Sequence, residues 1–379
     1  MPEQHILILA GEASGDDHAA EFVRELKLMQ PQMKITGMGS QAMKKAGVDV
    51  FYDSSKIAVM GLVEVLRHWG DIKQAMNLVK LKLEQTRPDL LILVDYPEFN
   101  LKMARHAKSL GIKVLFYISP QVWAWRPRRI HKIGRLIDHM AVIFKFEEPY
   151  YQRANIPVSF VGHPLVDKVV ADQDRNICRQ QLGVADDEQL VGLFPGSRQS
   201  ELSRLLPLMF ETAKKMHQQN PALKFLLPIA AALDYEELSQ LCAGNNPPII
   251  PTQGNIYEMI SSCDAIVSCS GTVTLEIALL EVPLCIVYRM SWLSYQILSR
   301  LITIPHVGLA NIVVGKQIVR ELLQEDATPG KVSNELFELL DNKDYRQKVK
   351  ADLAGVRQNL GEGNGAGNMA QLVLDMLKK

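Results

Sequence analysis

Ser268-Cys269-Ser270-Gly271-Thr272-Val273-Thr274-Leu275-Glu276 stands between the apolar run Asp264-Ala265-Ile266-Val267 and a helical stretch from Leu275 to Leu280. Small side chains at a helix start leave backbone N–H groups open to an anion, and the helix dipole favours negative charge there. Glu276, about one turn into that helix, is placed to accept hydrogen bonds from a pair of sugar hydroxyls. Ser270, Gly271, Thr272 and Glu276 therefore read as a site for a nucleoside diphosphate that carries a further group. The plainer alternative is an ordinary Ser/Thr helix cap.

Phe194-Pro195-Gly196-Ser197-Arg198 ends another strand-like run, and Glu201 begins a helix. Arg198 can pair bidentately with a diphosphate and stabilise charge as it leaves, with Ser197 beside it. A solvated loop arginine is the alternative. Asp95 closes the run Leu91-Ile92-Leu93-Val94 and opens Asp95-Tyr96-Pro97-Glu98-Phe99-Asn100. A carboxylate at a strand end can take the proton of an attacking sugar hydroxyl; it can equally cap a helix. Ala10-Gly11-Glu12-Ala13-Ser14-Gly15-Asp16 follows the first strand and departs from GxGxxG, which counts against a dinucleotide cofactor. Gly11 and Gly15 still allow a tight turn in which polar side chains face a ligand, or Asp16 simply serves as an N-terminal helix acid. His163, in Gly162-His163-Pro164, either orients a substrate or bridges two halves of the chain.

Trp123, Trp125, Arg126, Arg128 and Arg129 fall within nine residues of one another, between Gln121 and Arg129. Tryptophan beside arginine suits a lipid headgroup layer; an amphipathic helix with buried tryptophans is the alternative. The stretch from Ile57 to Leu66 is apolar almost all round, which fits either core or a surface for acyl chains.

Length and composition frame these motifs. The 379 residues suffice for two or three domains, and 47% hydrophobic with 22% charged residues is a globular composition. Lys plus Arg equals Asp plus Glu at 42 each, so no global field attracts nucleic acid. The five cysteines lack CxxC spacing, which points to reduced thiols in a cytoplasmic protein and gives no zinc site. No apolar run is long enough to span a bilayer, and Ile6 to Ala10 is too short for a signal-peptide core.

Short apolar runs alternate with helical patterns twice along the chain. Ile6-Leu9, Lys34-Thr36, Leu90-Val94, Lys113-Ile118, His139-Ile143 and Val158-Val161 are expected strands of a first half. Leu190-Phe194, Lys224-Pro228, Pro248-Ile250, Ala265-Val267 and Leu284-Val287 are those of a second. This predicts two Rossmann-like α/β domains facing each other across a cleft, with the active site at the strand ends. The expected division is 1–170 for the first domain, 171–345 for the second, and 346–379 for C-terminal helices. After the glycine-rich break at 361–367 those last helices return to the first domain or dock on a partner subunit, as in a homodimer.

Taken together, AGEASGD at 10–16, VMGLVEV at 59–65, DYPEFN at 95–100, SPQVWAWR at 119–126, GHPLVD at 162–167, FPGSR at 194–198 and SGTVTLE at 270–276 resemble the lipid-A-disaccharide synthase family in order and spacing, over essentially the whole chain. The resemblance implies a GT-B glycosyltransferase at the cytoplasmic face of the inner membrane, peripheral to it. It implies inverting transfer of a diacylated glucosamine from UDP-2,3-diacylglucosamine to the 6-hydroxyl of 2,3-diacylglucosamine 1-phosphate, giving a β-1,6 disaccharide and UDP.

Under that reading Asp95 is the leading general base, with Glu12 and Asp16 as alternatives, and no cofactor is called for. Arg198, Ser197, the Ser270-Gly271-Thr272 turn and Glu276 hold UDP. No DxD motif stands where a metal would bridge a diphosphate. Asn311 falls where the family has an asparagine, but Ala310 replaces the usual preceding proline. With Gln121 and Arg320, that departure bears on loop geometry and acyl-chain choice more than on reaction type. A UDP-sugar 2-epimerase would share the architecture without needing an acceptor, and a non-catalytic lipid-binding protein would tolerate loss of Asp95.

Overall fold

The computed structural model describes residues 4–57, 69–122, 129–244, 246–290 and 304–378. The chain divides into two compact units, Met1–Pro164 with Leu360–Lys379, and Leu165–Asn359.

In the first unit, β1 (His5–Ala10) is buried at every position, as an uninterrupted apolar run requires when both faces of a sheet are covered. It lies in the interior of a seven-stranded sheet with β2 (Lys34–Gly39), β3 (Asp49–Asp53), β4 (Leu90–Val94), β5 (Lys113–Tyr117), β6 (His139–Val142) and β7 (Val158–Phe160). The order is β3-β2-β1-β4-β5-β6-β7 and every pairing is parallel. The second unit repeats the plan with β8 (Leu190–Phe194), β9 (Lys224–Pro228), β10 (Ile249–Thr252), β11 (Ala265–Cys269), β12 (Leu284–Tyr288) and β13 (Glu321–Leu323). Its order is β10-β9-β8-β11-β12-β13, again all parallel.

In each sheet the winding direction reverses beside the first strand, between β1 and β4 and between β8 and β11. Adjacent loops diverge at such a switch point and leave a crevice at the carboxyl ends of the strands. The loops that leave β1, β4, β8 and β11 are the ones carrying Glu12, Asp95, Arg198 and Ser270 to Thr272.

Two strands lie outside the sequence expectation. β3 is an edge strand whose residues are at most half buried, and β13 is an edge strand of three residues. Neither carries the continuous apolar run that marks an interior strand. The expected helix Ser294–Leu301 and most of the apolar stretch from Ile57 to Leu66 lie outside the described residues.

The helix Gly365–Lys378 packs against the helix Ala13–Met29 of the first unit. Asn368 Nδ2 donates to the Val161 carbonyl at 3.0 Å, and Lys113 Nζ donates to that of Met376 at 3.3 Å. Two glycines suit this return: Gly162 has a φ of +95°, and a Cβ at Gly365 would press on the Gly162 carbonyl oxygen at 3.2 Å. Residues 346–359 stay with the second unit rather than joining the final helix.

Candidate active site

At the switch point of the first sheet, β4 runs straight into Asp95. Asp95 and Tyr96 both adopt left-handed backbone conformations, with φ of 46° and 47°. Two successive non-glycine residues in that region store strain that the surroundings must hold. The support comes from the helix Pro97–Ser109: the fully buried Asn100 donates through Nδ2 to the carbonyls of Val94 at 3.2 Å and Asp95 at 2.6 Å. On the other side the Asp95 N–H donates to the Tyr117 carbonyl at 3.0 Å.

The N-cap position of that helix is Tyr96, one residue after Asp95. Burial raises the Asp95 pKa above its ordinary value, and a Tyr96 backbone hydrogen bond and the nearby His18 act the other way. A carboxylate so placed is a stronger base than an exposed one.

Glu12 is the N-cap residue of the Ala13–Met29 helix. Its charge, after burial itself, raises the Tyr96 hydroxyl pKa, so it belongs to the same neighbourhood as Asp95. Gly11 is needed beside it, because a Cβ at that position would collide with the Tyr96 ring.

Asp16 is the acid in the first turn of the Ala13–Met29 helix, the plainer of its two expected roles. It is 4% exposed and accepts the backbone N–H groups of Ser40 at 2.5 Å, Ala42 at 2.9 Å and Met43 at 3.4 Å. Its carboxylate thus satisfies the start of the Gln41–Lys45 helix. His163 is buried with its ring 4.9 Å from that of Phe144, a packing position.

In the second unit the loops after β8, β9, β10 and β11 enclose a pocket of about 770 Å³. Ser197 and Arg198 form one wall, Ser270, Gly271, Thr272 and Glu276 another, and Pro228 to Ala231 with Gln253 and Gly254 a third. Thr272 caps the short helix Val273–Leu279 without a side-chain bond, and Ser270 Oγ donates instead to the Val307 carbonyl at 2.9 Å. Thr272 is thus a cap by position, without the side-chain bond of an ordinary Ser/Thr cap. A Cβ at Gly271 would meet only open space, so this turn presents bare backbone. Burial raises the Glu276 pKa above its ordinary value.

Asn311 was expected among the ligand contacts, but its amide is consumed by the protein. It is fully buried, and Nδ2 donates to Glu321 Oε1 at 2.7 Å and to the Val319 carbonyl at 2.9 Å. Its Oδ1 accepts from the N–H groups of Ile318 at 2.8 Å and Val319 at 3.0 Å. Asn311 ties the Leu309–Val314 helix to the loop before β13 and acts on the site only through that fold. Glu321 completes the tie by accepting from the N–H groups of Val307 and Gly308, at 2.9 Å and 3.0 Å.

Asn100, Tyr96, Glu201 and the loops after β9 and β10 escaped the sequence reading. The one available signal was position: Ala230, Ala231, Gln253 and Gly254 follow strands, as the recognised motifs do. Of the tryptophan and arginine patch only Arg129 lies within the described residues, where it pairs with Glu98 at 2.5 Å. All five cysteines are free and buried, and burial pushes the thiols up, to about 11 for Cys242 and about 12 for Cys269. Among the described residues no helix is long and apolar enough to cross a membrane.

A family model described as lipid-A-disaccharide synthetase matches residues 6–373. The lipid-A-disaccharide synthase of Geobacter sulfurreducens is 46% identical over 374 residues, which cover 99% of this chain and 97% of that protein. That of Coxiella burnetii is 44% identical over 377 residues, spanning 100% of both chains. A putative UDP-N-acetylglucosamine 2-epimerase from Listeria monocytogenes superposes with a TM-score of 0.68 at 12% identity, covering 99% of this chain and 97% of that one. The glycotransferase of kitacinnamycin gives 0.66 at 17% identity, covering 99% and 100%. At such identities these two likenesses establish the fold alone, two parallel-sheet α/β domains of the GT-B class.

Proposed function

This chain belongs to the lipid-A-disaccharide synthase family, as a hexosyltransferase of lipid A disaccharide synthesis, and from that premise we propose a specific reaction for it. The donor is UDP-2,3-diacylglucosamine and the acceptor 2,3-diacylglucosamine 1-phosphate. The products are UDP and the β-1,6-linked disaccharide 1-phosphate, formed with inversion at the anomeric carbon.

The observation that carries this reading is the pocket of about 770 Å³ after β8 and β11, where Arg198, bare backbone at Gly271 and the half-buried Glu276 converge. The diphosphate lies between the Ser197–Arg198 loop and the Ser270–Thr272 turn, and Glu276 accepts from the ribose hydroxyls. Asp95 takes the proton of the acceptor 6-hydroxyl as that oxygen attacks the donor carbon and the bond to UDP breaks. Arg198 stabilises the charge that develops on the departing diphosphate. Glu12, the second carboxylate near Tyr96, is the alternative base.

The acyl chains of both substrates put this reaction at a membrane surface, the cytoplasmic face of the inner membrane, with the protein peripheral to it. Trp123, Trp125, Arg126, Arg128 and Arg129 are the proposed contact. Support comes from Trp69, which is 55% exposed, with Lys102 Nζ 5.9 Å from its ring centre. An apolar ring beside a cation suits a headgroup layer.

The test is a mass-spectrometric assay with UDP-2,3-diacylglucosamine, with and without 2,3-diacylglucosamine 1-phosphate, in EDTA. Disaccharide and UDP that depend on the acceptor are expected. Loss of donor stereochemistry without acceptor would replace this reading with an epimerase.

A further inference from the structure

A phosphate arriving at the loop after β8 would meet backbone groups that already have a partner. Glu201, in the first turn of the helix Gln199–Gln219, accepts through Oε2 from the Ser197 N–H at 3.1 Å and the Arg198 N–H at 3.3 Å. Its Oε1 faces Arg198 Nη1 at 3.3 Å. The loop is shaped around this carboxylate: Gly196 has a φ of +115°, and a Cβ there would collide with Glu201 Oε2. Glu201 itself lines the pocket, beside Cys269 and Ser270 from β11. Behind burial, Glu201 raises and Arg198 lowers the pKa of the Cys269 thiol at the end of β11, so the pair also lies near the second loop.

A capping glutamate is ordinary at this helical position. What is unusual is that the cap holds the N–H groups and the cation that the proposed donor would use. Arg198 keeps 62% of its side chain exposed and Glu201 24%, so a ligand reaches the pair without unfolding the loop.

We propose that Glu201 is a built-in competitor for the diphosphate: it occupies Arg198 and the 197–198 backbone in the empty site and yields part of that hold to UDP. This rests on the assignment of the pocket to the donor nucleotide and adds a control on its affinity. A negative charge beside the leaving UDP favours product release, while the same carboxylate keeps the loop in shape between turnovers. Glu201 is thus a positioning residue with an electrostatic penalty toward the ligand.

The experiment is calorimetric titration of UDP, UMP and uridine into the full chain and Glu201→Gln, which keeps length and one acceptor oxygen but removes the charge. UDP should bind about five- to tenfold tighter to the variant, the scale expected for one partly solvated charge. The gain should shrink for UMP, vanish for uridine, and fade at high salt. In an Arg198→Ala background the same substitution should give a smaller gain, because the two side chains act as a coupled pair. Unchanged or weaker UDP binding by a variant that still binds uridine normally overturns the proposal and leaves Glu201 as a loop cap alone. If Glu201→Gln loses uridine as well, Glu201→Asp carries the test; its shorter carboxylate releases the backbone, and UDP binding weaker than wild type overturns the proposal. Failure of the donor assignment looks different. Wild-type protein would then bind UDP no better than uridine, and Arg198→Ala would change nothing.

Discussion

The Asn100 side-chain amide donates to the carbonyl of Asp95 at 2.6 Å, which couples a fully buried residue of the Pro97–Ser109 helix to the left-handed elbow at the end of β4. One amide thereby fixes the backbone from which the proposed base projects. A second bond from the same nitrogen to the Val94 carbonyl keeps the last strand residue in place. The short loop that carries Asp95 is thereby tied to the core, which is what positioning of a general base demands.

Asp95→Asn should lower kcat by about two to four orders of magnitude, the usual contribution of a positioned base, with UDP affinity unchanged. Steady-state kinetics and UDP titration on the same preparation check this. Equal loss of turnover and binding would make Asp95 structural and move attention to Glu12.

The base form of Asp95 is the deprotonated one, and burial raises its pKa. Activity should therefore be full above that raised value and fall as pH drops through it, at a pH higher than an exposed aspartate would give. His18 works in the lowering direction, so His18→Gln should move this acid limb of kcat/KM further upward. A limb that stays put would show that His18 is not coupled to the reacting carboxylate.

Asn100→Leu removes the donor from two buried carbonyls and should cost about 2–4 kcal/mol of stability. Urea denaturation measures it. The folded fraction should also turn over slowly, since the elbow loses the bond that holds its strain. Wild-type stability in this variant would mean that the Tyr117 contact alone supports Asp95.

Asn311→Ala and Glu276→Gln should separate cleanly. Asn311 spends all its hydrogen-bonding capacity inside the protein, so its loss should appear as about 2–4 kcal/mol of stability, with UDP affinity kept in the folded fraction. Glu276 lines the pocket, and its variant should keep its melting temperature while binding UDP about tenfold more weakly. The reverse pattern would assign the ligand contact to Asn311.

Trp123→Ala combined with Trp125→Ala should reduce flotation with anionic vesicles, and added salt should weaken what binding is left. Unchanged flotation of a folded double variant would remove the membrane role of that segment.

The interior strands were legible because burial on both faces demands an unbroken apolar run, and β1, β4, β8 and β11 carry such runs in plain view. The placement of Asp95, Arg198 and the Ser270–Thr272 turn after strand ends was legible for the same reason. Polar residues directly after such runs have nowhere to go but the open ends of a sheet. The edge strands β3 and β13 were not, since an edge needs neither a continuous apolar run nor length.

Asp16 and Asn311 show where local reading stops. Both have the residue types of a ligand site, yet the folded chain returns backbone N–H groups to them: from residues 40–43 onto Asp16, and from residues 318 and 319 onto Asn311. Hydrophobic periodicity is a local property and survives in the linear sequence. Which partner satisfies a polar side chain depends on segments that meet only after folding, and so the tertiary structure alone decided that Asp16 and Asn311 hold backbone segments together.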